Sequence, residues 1–149
     1  MALRGDTVRK SNAVGLDPTQ YDSLARFRSA LRRFLAFSEA ATREAGVTPS
    51  QYQALLVIKT QPVKAIMVRE LAQEMLLKPN GAVQLVDRLS AAGLVVRRQS
   101  ATDRRSVLVA LTARGGVLLE RLAAAHISEL LKQEPLLAES LRRLRQIDH

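Results

Sequence analysis

Asn80, Gly81, Val83, Gln84, Asp87 and Arg88 fall on one side of a helix whose other side is the apolar stripe Ala82, Leu85, Val86 and Leu89. An Asn or Gln amide offers a donor beside an acceptor, which pairs bidentately with adenine, and a guanidinium reaches guanine or phosphate. Taken alone, such a face is also what a solvated surface helix presents. Further along, Arg97, Arg98, Asp103, Arg104 and Arg105 crowd a polar segment between two strand-like runs. An arginine at the end of a protruding ribbon can enter a minor groove, where narrow A·T tracts concentrate negative potential. Asp103 suits such a place if it orients a guanidinium through a bidentate pair. The bland alternative is a solvated turn with an incidental ion pair.

Chemistry of other kinds finds few residues to carry it. The two histidines are His126, beside an apolar helical stripe, and His149. Neither belongs to a metal-ligand spacing, and no glycine-rich phosphate loop occurs. No catalytic residue, metal site or cofactor is therefore expected, and His126 reads as a core or interface histidine. With no cysteine, disulfides, thiolate zinc sites and thiol redox sensing are all excluded.

The charge balance points the same way as the two clusters. The chain carries 23 Lys and Arg against 14 Asp and Glu, a net of +9. A domain of this size with a pI near 11.0 favours a polyanionic partner, nucleic acid before membrane. Aromatic residues make up 3% with no Trp, too few to stack single-stranded bases. No apolar run approaches the roughly 18 residues that a membrane helix needs. Residues 1–16 hold Arg4, Arg9 and Lys10 without the apolar stretch of a signal peptide. Nothing in these features argues against a cytoplasmic address.

The elements that must position these residues follow from the pattern. Residues 1–16 read as a flexible basic arm. Asp17-Pro18-Thr19-Gln20 opens a long helix to about Glu44, with Leu24, Phe27, Leu31, Phe34 and Leu35 at helical spacing and Ser38 and Ala41 continuing that face. Thr48-Pro49-Ser50-Gln51 repeats the signal for a second helix to about Thr60. Ala65-Ile66-Met67 suits an isolated strand, Val68 to Met75 a short third helix, and Pro79 the first turn of the next. Leu94 to Gln99 and Val107 to Leu111 make a two-stranded hairpin with a charged tip. Thr112 caps a fifth helix with a stripe through Leu118, Leu122, Ala125 and Leu130, which Pro135 separates from a last helix, Leu136 to about Gln146.

Strand, helix, short turn, helix and hairpin over 65–111 make a constellation whose second helix fits the roughly 12 Å major groove. The run from Leu71 to Leu89, the segment Gly93-Leu94-Val95-Val96-Arg97-Arg98 and the stretch from Asp103 to Thr112 together resemble the MarR (multiple antibiotic resistance regulator) family. The resemblance implies a mainly α fold with a small β-hairpin wing. A winged helix-turn-helix DNA-binding region would occupy 61–112, and a helical dimerisation region 17–60 and 113–149. It implies a homodimeric transcriptional regulator, a ligand-responsive repressor on palindromic operators, with double-stranded DNA and a second copy as partners. Arg105 would be the minor-groove arginine and Asp103 its partner. Lys78, Asn80, Gly81, Val83, Gln84, Arg88, Arg97, Arg98 and Arg104 complete the expected DNA contacts.

A small aromatic or lipophilic anion is the implied effector, with Arg33, Phe34, Phe37 and Tyr52 able to line its site. Lys78 stands where relatives commonly cap the helix with Ser or Thr. Val83 and Gln84 replace a more usual polar pair, so the operator cannot be borrowed from relatives. The absence of cysteine excludes the branch that senses peroxide with a thiol. The rival to DNA binding is a winged-helix protein-interaction module, which the basic wing disfavours.

Overall fold

A computed structural model describes residues 15–103 and 105–146. Two helices begin at sequence-legible capping boxes. The Asp17 side chain accepts from the Gln20 backbone N–H at 3.0 Å and Gln20 returns a bond to the Asp17 N–H at 2.9 Å, starting α1 (Pro18–Glu44). Thr48 and Gln51 do the same at 3.1 and 2.9 Å for α2 (Pro49–Lys59). Each cap satisfies otherwise orphaned N–H groups and contributes about 1 kcal/mol.

The chain continues through β1 (Ala65–Met67), α3 (Val68–Glu74), α4 (Pro79–Ala91), β2 (Val95–Gln99), β3 (Val107–Leu111) and α5 (Ala113–Arg145). β1 is not isolated: it pairs antiparallel with β3, giving a three-stranded sheet in the order β1-β3-β2. Val109 lies opposite both Ile66 and Arg97. Leu55, Ile58, Ile66, Leu71, Val86, Leu89 and Val109 form the centre of the core, between α2, α3, α4 and the sheet.

Three helix ends share one geometry. After α1, α3 and α4 the residues Gly46, Leu76 and Gly93 take φ of +79°, +55° and +74°. In each case the following N–H returns to a carbonyl five residues back: Val47 to Thr42, Leu77 to Ala72 and Leu94 to Leu89. Glycine accepts this left-handed conformation freely. Leu76 does so at a steric cost, and its side chain, 92% exposed, gains no packing in return.

One expectation fails on α5. Pro135 does not divide the last helix, because α5 runs unbroken over 33 residues. The proline removes a single N–H, while α5 is tied to α1 on both sides of it, by the His126–Ser38 hydrogen bond before it and the Arg143–Asp22 ion pair after it. The buried line of α1 is Ser23, Ala30, Ser38 and Thr42, with Leu24 and Leu35 left exposed. On α5 the buried line is Gly115, Leu119, Leu122, His126 and Ser140, and Leu130 is exposed. The buried line of α1 is thus made of small residues, and Leu24 and Leu35 of α1 and Leu130 of α5 lie outside the buried lines.

Candidate nucleic-acid interface

The helical period buries Ala82, Leu85, Val86 and Leu89 and leaves Asn80, Val83, Gln84, Asp87 and Arg88 exposed on the opposite side of α4, with Gly81 half-buried. Lys78 is the N-cap of α4 and makes no side-chain capping bond. A cleft of about 290 Å³ runs between this helix and the first turn of α2, lined by Thr48, Ser50, Gln51, Gly81, Gln84 and Arg88 among others. The hydroxyls of Thr48 and Ser50 thus border the same face, which sequence reading did not foresee because it depends on the α2–α4 crossing.

The wing is fastened to this helix. Arg97 of β2 forms an ion pair with Asp87 of α4, joining the two clusters picked out in the sequence. Asp87 itself was not among the expected contacts; its polar position on α4 was the available signal. At the tip, the Ser100 N–H donates to the Ser106 carbonyl at 3.0 Å, and the Ser106 N–H to the Asp103 carbonyl at 3.1 Å. Arg98 and Arg105 are exposed, while Arg104 lies outside the described residues.

Asp103 does not act as expected. Its carboxylate accepts from the Arg105 backbone N–H at 2.9 Å and from the Ser106 hydroxyl at 3.0 Å, rather than from the Arg105 guanidinium. A short acidic side chain bonds the backbone two residues on more readily than it reaches a long, freely rotating arginine. Those two donors hold the Asp103 carboxyl below its ordinary value. Any stability this adds to the turn is complete above the ordinary carboxylate range and is lost as pH falls through the depressed value. This contribution of Asp103 therefore does not change with pH near neutrality. Over residues 78–105, six basic residues stand against Asp87 and Asp103, a net of +4.

The residues expected around an effector separate. Phe34, Phe37 and Tyr52 close on His126, with ring centroids 6.0, 5.6 and 4.2 Å away, and Tyr52 stacks nearly parallel. Arg33 is exposed. His126 is buried, as the sequence suggests. Its Nδ1 lies 2.6 Å from the Leu122 carbonyl, which can only accept, so that nitrogen carries a proton. In the neutral ring the Ser38 hydroxyl then donates to Nε2 across 2.8 Å. Burial pushes the Tyr52 phenol above its ordinary value. A cleft of about 400 Å³ lies elsewhere, between α1 and α5, lined by Ala41, Glu44, Ala45, Leu118, Arg121, Leu122 and Ala125.

Residues 45–106, which hold the helix-turn-helix and most of the wing, match the profile of the MarR family. The winged region of the chain is thus similar to the MarR family. The chain is 34% identical over 98 residues to a putative transcriptional regulatory protein for the hcr operon of Thauera aromatica, covering 66% of this chain and 58% of that protein. It is 33% identical over 79 residues to the transcriptional repressor MdtR of Bacillus subtilis, covering 53% of this chain and 50% of that one. The chain thus spans 50 to 58% of the length of these relatives, which are transcriptional regulators rather than enzymes.

The fold is that of AbsC, a MarR family regulator from Streptomyces coelicolor, at a TM-score of 0.71, with 20% identity over 89% of this chain and 90% of that one. Sco3205 from the same organism, solved in complex with DNA, is similar at a TM-score of 0.68 with 22% identity, over 89% of this chain and 87% of that one. Among the described residues no helix is long and apolar enough to cross a membrane.

Proposed function

We propose that this chain regulates transcription as a homodimer that recognises double-stranded DNA by sequence, with α4 in the major groove and Arg105 of the wing in the adjacent minor groove. The Asp87–Arg97 pair carries this reading: it couples the helix that would read bases to the ribbon that would enter the next groove. Tyr21, Leu24 and Leu35 of α1 and Leu130, Leu131 and Leu141 of α5 are exposed, and a second copy would cover them. Residues 17–60 and 113–149 are then the dimerisation region and 61–112 the DNA-binding region. Repression is the proposed outcome, as the name of the Bacillus relative suggests.

Selection of bound sequences from a random duplex pool tests this reading. A twofold dimer with one α4 per subunit selects a palindrome with half-sites about 10 base pairs apart. An asymmetric single half-site, bound by a monomer, would refute it.

Lys78 offers a second check, because the unfilled cap and the charge act on different quantities. Lys78→Ser supplies the missing cap acceptor and raises stability by about 1 kcal/mol in urea unfolding. The same change removes a cation beside DNA. It weakens all duplexes alike and flattens the salt dependence of binding by roughly one unit per site. An unchanged salt slope would take Lys78 off the phosphate backbone.

A further inference from the structure

The polar side of α4 contains one anomaly. Val83 is 44% exposed and is the one large exposed apolar side chain on that helix. Its neighbours on the face, Asn80, Gln84, Asp87 and Arg88, all carry hydrogen-bonding groups, and Val83 carries none. A β-branched side chain in a helix is already confined to essentially one χ1 rotamer, so fixing it against a partner costs little entropy.

We infer that Val83 sets sequence specificity by packing its isopropyl group against the C5-methyl group of a thymine. The inference rests on the DNA-binding reading of α4 and extends it. The major-groove edge of an A·T pair shows two features side by side: the adenine N6–N7 pattern that a Gln amide matches, and the thymine methyl that an apolar side chain matches. Val83 and Gln84 are consecutive, about 1.5 Å apart along the helix axis and 100° apart around it. One residue can thus take the adenine edge while its neighbour takes a methyl of the same or the next pair. A hydroxyl or amide at Val83 would compete for donors and acceptors of either base, whereas an isopropyl group gains only where a methyl group is present.

The test starts from the duplex that the wild-type protein selects and replaces its thymines one at a time by deoxyuridine, which removes the methyl group and leaves base pairing intact. One position per half-site should then weaken wild-type binding about fourfold, the worth of one buried methyl-sized group. The remaining substitutions leave binding unchanged. Val83→Ala, a surface change that should leave folding intact, abolishes the fourfold difference between thymine and uracil at that position. Val83→Thr, which keeps a γ-methyl group, retains part of it. If no uracil position weakens binding, or if Val83→Ala shows the same uracil penalty as wild type, Val83 does not read a methyl group and the inference falls, with DNA recognition by α4 still standing. If the pool yields no preferred duplex, the DNA-binding reading fails and takes this inference with it.

Discussion

Gly115→Ala lowers the stability of the chain by about 3 kcal/mol, the upper end for forcing a methyl group into filled space. A Cβ built on Gly115 stands 2.0 Å from the Leu94 carbonyl oxygen and 3.0 Å from its carbon. Both are backbone atoms, so no side-chain rotation relieves the overlap. The same Leu94 carbonyl accepts the Thr112 N–H at 3.1 Å, and the Thr112 hydroxyl donates to the Gly93 carbonyl at 2.6 Å while accepting the Gly115 N–H at 3.0 Å. This knot fixes the start of α5 against the start of β2, and it joins the helical half of the molecule to the winged half. Gly116→Ala is the control. Its Cβ meets nothing within 4 Å, and alanine in a helix is worth about 1 kcal/mol over glycine, so that variant gains stability. Urea midpoints of the two variants should therefore move in opposite directions. A common shift would mean that the close approach of Gly115 to Leu94 is wrong.

Arg105→Ala weakens duplex binding by roughly ten- to a hundredfold, the range for losing a charge-assisted hydrogen bond to DNA, and blunts any A·T preference at the flanks of the site. Asp103 separates charge from geometry. Electrostatics alone predicts that removing its negative charge tightens binding to a polyanion. The hydrogen bonds to the Arg105 N–H and Ser106 hydroxyl predict that losing the carboxylate loosens the tip that presents Arg105. Asp103→Asn keeps an oxygen acceptor for the Arg105 N–H and removes the charge, whereas Asp103→Ala removes both. Binding should be weaker for Asp103→Ala than for Asp103→Asn at every salt concentration. If the two variants bind alike and both bind more tightly than wild type, the turn is not what positions Arg105.

What the sequence made legible was local. The capping boxes at Asp17 and Thr48, the stripe of α4 and the period-two run from Val107 to Leu111 need only neighbours a few residues away, and the structure forms them where they were expected. Pro135 misled because a local rule for breaking helices gave way to packing along α5. The stripe of α1 left open how its face is shared, because Ser38 is buried against His126 of α5 while Leu24 and Leu35 stay exposed. Asp103 misled because a carboxylate two residues before an arginine can bond that residue's backbone or its side chain, and spacing does not choose between them. Gly115 and the Asp87–Arg97 pair depend on where distant segments cross, which no pattern within one helix records.

The central claim is that α4 and the wing together recognise a particular duplex sequence. The most direct measurement is an equilibrium titration of the protein against the selected duplex and against a shuffled duplex of the same composition, at one physiological salt concentration. A sequence-reading dimer binds the selected duplex at least about a thousandfold more tightly than the shuffled one. Equal affinity for the two, with a steep salt dependence for both, would reduce the basic surface to a non-specific polyanion site and contradict the account.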